Sequence, residues 1–109
     1  MATRADRSAA ELLSPGKFVA PVDPEHVRSD WRDRGYDCHR FTDPPGQTWN
    51  DFVHETNEVV TVVDGRLELT VGDQVAIAGP GDEVFIPRGV VHTVRNVHAG
   101  TTRWLFGYD

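Results

Sequence analysis

His54, Glu58 and His92 are the residues of this chain whose types could together hold a metal ion. Two imidazoles and one carboxylate with open positions form a donor set that suits iron, manganese, nickel or zinc. The open positions would admit a substrate or dioxygen to the ion. Spacing sets a condition on this chemistry. His54 and Glu58 have the same parity, and four residues along one straight strand span ~13 Å, too far to share an ion. Glu55, Thr56 and Asn57 make a poor strand interior and a fair turn, so a reversal there would let the two side chains converge. His92 lies in the run PRGVVHTVRN and must arrive from a distant strand. Taken singly, each histidine is more often a surface or hydrogen-bonded residue than a ligand, and a lone glutamate is more often a solvated strand-end charge.

The elements that must position these residues are mostly strands. From Thr48 onward, TWNDFVH, EVVTVV, RLELTV, QVAIA, EVFIP, VVHTVRNV and TTRWLFGYD read as short strands separated by turn residues. Asp64–Gly65 reads as a two-residue hairpin turn joining EVVTVV to RLELTV. That register puts Glu58, Val60 and Val62 on one face with Leu67, Leu69 and Val71, and this is the expected buried face. Val59, Thr61 and Val63 fall on the other. Trp104, Phe106 and Tyr108 share a face of the last strand. Earlier in the chain, YDCHRF reads as a strand that TDPPGQ ends. Asp23 and Pro24 suit a helix start, Gly35 suits its end, and Val27 and Trp31 lie four apart on one face. Many short strands without intervening helices imply an all-β sandwich or barrel. The expected organisation is an N-terminal extension over 1–35, partly flexible with a short helix, and a β-barrel domain over 36–109.

The bulk properties narrow the function classes. The chain has 109 residues and a formal net charge of −6, a balance that argues against nucleic acid or an anionic membrane as the main partner. A single cysteine, Cys38, precludes an internal disulfide and suits a reducing compartment. No run approaches the roughly 18 apolar residues of a membrane span, and the N-terminus lacks the apolar core of a secretory signal. The expectation is a cytoplasmic protein that binds a small molecule.

Two segments carry a family resemblance. Gly81 to Asn96, GDEVFIPRGVVHTVRN, has the pattern Gly, five residues, Pro-x-Gly, two residues, His, three residues, Asn. Gly46 to Gly65, GQTWNDFVHETNEVVTVVDG, has Gly, five residues, Phe-x-His, three residues, Glu, six residues, Gly. These resemble the second and first motifs of the cupin superfamily. The departure is Phe52, which stands where the first motif has a histidine. The resemblance implies a double-stranded β-helix of the jelly-roll type, a divalent transition metal held by His54, Glu58 and His92, and a homodimer. It also implies that His92 points into the barrel and that Pro87–Gly89 forms the turn that aims it.

Other residues complete the expected surroundings. His39, on a neighbouring strand, could stand in for the missing imidazole. Phe52 could instead line an apolar ligand pocket, with Trp104, Tyr108 and Asn96 nearby. Asn96 shares parity with His92 and could pin the end of its strand. Trp49, Trp104 and Tyr108 also suit core or dimer-contact positions. Arg40 and Arg103 could hold a substrate carboxylate or stand solvated. Cys38 reads as a small buried hydrophobe. A metal-dependent enzyme is one reading of this set, and a non-catalytic binding or sensing module, with or without metal, is the other.

Overall fold

A computed structural model describes residues 12–109. Two antiparallel sheets face each other. Among the described residues the strands are β1 (Leu13–Ser14), β2 (His39–Asp43), β3 (Thr48–Phe52), β4 (Glu58–Asp64), β5 (Leu67–Val71), β6 (Gln74–Ala78), β7 (Glu83–Ile86), β8 (His92–Asn96) and β9 (Thr102–Tyr108), with the helix α1 (Pro24–Asp33). The five-stranded sheet runs β1-β7-β4-β9-β2 and the four-stranded sheet β3-β8-β5-β6. This is the jelly-roll arrangement that the motifs imply.

The expected hairpin at Asp64–Gly65 does not form. β4 pairs with β7 and β9, whereas β5 pairs with β6 and β8. β4 thus has a neighbour on each side and no edge for β5 to join. The chain crosses between sheets at Gly65 instead, where φ is 103° and a Cβ would collide with Thr102. Thr102 Oγ1 accepts the Arg66 N–H at 3.1 Å and fixes the crossing. The facing of side chains survives this correction. Val60, Val62, Leu67, Leu69 and Val71 all point into one core between the sheets, because both strands turn the same alternate residues toward it.

The other face of β4 is buried as well, against expectation. Val59 and Leu105 pack beneath Val27 and Trp31 of α1, with Phe18, Val22 and Cys38 closing a second core. Asp23 caps α1 by accepting the Glu25 N–H at 3.0 Å, and Pro24 opens the helix. Glu83 ties the helix to the sheet. Its carboxylate accepts the Trp31 indole N–H at 2.9 Å and the Arg34 guanidinium at 2.6 and 3.1 Å. So this part of the extension is packed onto the barrel, with β1 pairing β7 of the same chain. In sequence, Ala9–Leu13 also suits a short helical turn; residues 9–11 lie outside the described residues, and Leu13 opens β1.

β2 starts later and runs further than its sequence suggests. Tyr36 and Asp37 are taken up by hydrogen bonds to Trp31 and Tyr108, and the strand continues to Asp43, opposite Thr102. No described helix is long and apolar enough to cross a membrane.

The Glu83 clamp yields a test. Glu83→Ala would leave a buried indole N–H without an acceptor, a loss of about 2–3 kcal/mol. Urea denaturation is expected to show that loss, and a change below about 0.5 kcal/mol would mean α1 is held by apolar packing alone.

Candidate metal centre

The site forms where β3, β4, β8 and β9 meet at one end of the barrel. β3 ends at Phe52, and the chain bends at Glu55–Thr56 before entering β4 in the opposite sheet. The required change of direction is therefore a crossing between sheets. Asn57 holds it. Its side chain donates to the Asp109 carboxylate at 2.9 Å and accepts the Arg88 N–H at 2.9 Å. The Gly89 N–H donates to the His54 carbonyl at 2.8 Å, so the Pro87–Gly89 turn also anchors the segment carrying His54. Gly89 adopts φ 76°, a backbone state that glycine enters without strain.

Glu58, His54 and His92 converge. Glu58 Oε1 lies 3.3 Å from His92 Nε2 and 3.6 Å from His54 Nε2. One donor atom from each residue fits within 4.8 Å of the others. Glu58 and His92 are buried, and His54 is half-buried. Glu58 Oε1 is buried and has no hydrogen-bond partner. A buried carboxylate oxygen left unpaired is costly, and a cation between it and the imidazoles relieves that cost. His92 Nδ1 lies 3.1 Å from the Val90 carbonyl. Donation there puts the proton on Nδ1 and turns the Nε2 lone pair toward Glu58, the tautomer a metal needs.

Electrostatics agree with this geometry. Burial, the largest influence on His92, works against its charge. The Glu58 carboxylate and the Val90 carbonyl outweigh it, and the His92 pKa is raised. Tyr108 is pushed up to about 12, first by burial and then by the Glu58 and Asp37 carboxylates. Its hydroxyl therefore keeps its proton at neutral pH.

Beside the trio lies a cavity of about 180 Å³. Its walls are Phe41, Trp49, Phe52, Trp104, Phe106 and Tyr108. Phe52 is 40% exposed at the mouth, and its ring stacks over His54 with centroids 6.0 Å apart. Of the two places open to them in the sequence, core or pocket wall, Trp49, Trp104 and Tyr108 take the wall of this cavity.

Two expected neighbours stand elsewhere. His39 shares the inner face of β2, but β9 separates β2 from β4. Its imidazole is half exposed, 3.2 Å from Asp37 and stacked on Phe106, so it does not replace the missing histidine. Asn96 is buried outside the cavity. Its amide donates toward the carbonyls of Asp43, Pro44 and Gly100 and accepts from His98 N–H and Thr102 Oγ1. It pins the strand end, as its parity suggests. Arg40 and Arg103 pair with Glu25 and Asp64 on the exposed surface and do not line this cavity.

Sequence reasoning missed Asp43 and Asn57. Asp43 is buried, and its Oδ2 accepts both indole N–H groups, Trp49 at 3.0 Å and Trp104 at 3.1 Å. It sets the tilt of two cavity walls. An aspartate ahead of Pro-Pro-Gly reads only as a turn residue, so no local signal marks this role.

Comparisons with known proteins follow the same lines. The family described as Cupin domain matches residues 39–108. No match is found among curated proteins. Among solved structures, TT1209 from Thermus thermophilus is 30% identical with a TM-score of 0.59, the match covering 63% of this chain and 68% of that one. A cupin 2 domain-containing protein from Halorhodospira halophila is 27% identical with a TM-score of 0.64, covering 72% of this chain and 57% of that one. The polyketide cyclase RemF from Streptomyces resistomycificus is 27% identical with a TM-score of 0.59, covering 67% of this chain and 53% of that one. The chain thus spans little more than half the length of the latter two. With its facing sheets and a family match across most of its length, the chain belongs to the cupin family.

Proposed function

We propose that His54, Glu58 and His92 bind one divalent transition metal, and that the chain acts there on a small organic molecule held in the aromatic-walled cavity. The observation that carries this reading is the buried Glu58 oxygen, which faces two imidazole nitrogens and has no hydrogen-bond donor while His92 is neutral. Neither packing nor solubility requires such an arrangement. The donor set of nitrogen and carboxylate oxygen suits iron, manganese, nickel or zinc.

Bound there, the ion would supply Lewis acidity or, for a redox metal, electrons to dioxygen. The chain's own residues supply the rest. Val90 fixes the His92 tautomer. Phe52 offers no ligand, so a coordination position that a histidine would fill would be left to water or substrate. Tyr108 offers a phenolic proton within the cavity, and the aromatic walls limit water. RemF, named as a polyketide cyclase, makes an organic ring-forming substrate one precedent among relatives. Oxygenation, isomerisation and decarboxylation all fit the site, since fold does not choose a reaction. Phe52 also favours a second reading, a binding or sensing module without turnover. Dioxygen consumption by the iron-loaded protein with candidate substrates separates the two.

Zinc titration followed by elemental analysis tests the metal reading. One zinc per chain is expected, with His54→Ala weakening binding by more than the about 10–100-fold typical of a supporting residue. Because His54 is half-buried, that variant is expected to keep its stability within about 1 kcal/mol. Zinc binding unchanged by His54→Ala and by His92→Ala would sink the reading.

Proton linkage gives a second check. The His92 pKa is raised in the folded chain, so folding takes up a proton there. Its contribution to metal-free stability is complete below about pH 6.5, the ordinary imidazole value, and is lost as pH rises through the raised one. Zinc competes for the same nitrogen, so its affinity should climb over that interval. Urea midpoints of wild type and His92→Gln compared at acidic and alkaline pH measure the effect. A wild-type midpoint that rises with pH relative to the variant would contradict it.

A further inference from the structure

The cavity beside the trio describes its own ligand. Its volume is about 180 Å³, and an apolar cavity of about 150 Å³ suffices for benzene. One six-membered ring therefore fits within the walls, and anything larger would extend past Phe52 at the mouth. The wall is aromatic nearly all round, with Val94 the aliphatic exception. Phe41 presents its ring to Trp49, Trp104 and Phe106 with centroids 5.1, 5.7 and 5.9 Å apart. Such walls favour a flat guest that meets faces and edges.

The polar groups lie at one end. Both indole N–H groups that could have faced a ligand are spent on Asp43. What remains is the His54–Glu58–His92 trio and the Tyr108 hydroxyl, and His54 and Tyr108 are adjacent, with ring centroids 5.0 Å apart. No lysine or arginine lines the cavity among the described residues. A phosphorylated sugar or a dicarboxylate would find no cation besides the metal and would bury its remaining charge against phenyl and indole rings. An aromatic cage can also hold an organic cation, but a divalent ion at its floor repels one.

We infer that the ligand of this site is a single-ring aromatic compound carrying an oxygen donor on one edge, with the ring between Phe41, Phe52 and Phe106 and the oxygen toward the metal and Tyr108. This rests on the metal reading above. The same walls explain Phe52 in place of a histidine: an apolar face is gained where a ligand is given up.

The experiment uses the zinc-loaded full chain, with zinc stoichiometry measured first. Phenol, glycolate and tetramethylammonium are then titrated and followed by calorimetry and tryptophan fluorescence. Glycolate has the oxygen donor without the ring, and tetramethylammonium tests the cage alone. Phenol is expected to bind at least about ten-fold more tightly than either. Phe41→Ala, at a partly exposed position, should weaken phenol about two- to ten-fold with zinc binding unchanged, and Phe52→Ala serves as a second variant should the first misfold. Glycolate or tetramethylammonium binding as tightly as phenol, or phenol indifferent to both variants, would overturn the inference while the metal reading stands. Absence of zinc would instead overturn the metal reading, and this inference with it.

Discussion

A carboxylate oxygen buried without a hydrogen-bond donor is the constraint around which this molecule is arranged. Glu58 opens β4, the central strand of the larger sheet, flanked by Ile86 and Tyr108. An apolar residue at that point would continue the core formed by Val60 and Val62. The charge is kept there by what faces it: His92 from the opposite sheet and His54 from the crossing between sheets. Either a proton on His92 or a metal ion can neutralise the gap, and the two compete for the same nitrogen. The raised His92 pKa is the metal-free expression of that demand.

The surrounding fold supplies rigidity in proportion. His54 is tied through its carbonyl to Gly89, and Asn57 links the bend to both Arg88 and the C-terminal Asp109. The glycines of the two motifs have physical duties. Gly65 passes Thr102 where a Cβ has no room, and Gly81 passes the Phe18 carbonyl in the same way. Both adopt positive φ, which glycine enters without strain. Away from the site, Asp43 converts two tryptophans from generic core residues into oriented walls. Stability and site geometry thus share residues.

Much of this was legible in the sequence, and the failures have definite causes. Strand positions followed from alternation and turn residues, and the inward set of Val60, Val62, Leu67, Leu69 and Val71 was right. The partner of each strand was wrong at Asp64–Gly65, because a tight hairpin and a crossing between sheets use the same residues. Alternation fixes a face and not a neighbour. Burial of Val59 was missed because nothing local says that α1 covers that side. The trio was readable because its residue types and motif spacing are restrictive, whereas the place of His39 was left open because the sequence does not show that β9 lies between its strand and β4. Asp43 and Asn57 act through contacts 61 and 52 residues away, beyond any local pattern.

The central claim is that His54, Glu58 and His92 share one ion. X-ray absorption spectroscopy of the zinc-loaded chain tests it most directly. The expected spectrum has scattering from two imidazole rings, with oxygen from Glu58 and solvent completing the shell at about 2.0–2.2 Å, and one imidazole fewer in His92→Ala. A shell of oxygen alone, or two imidazoles retained in that variant, would contradict the account.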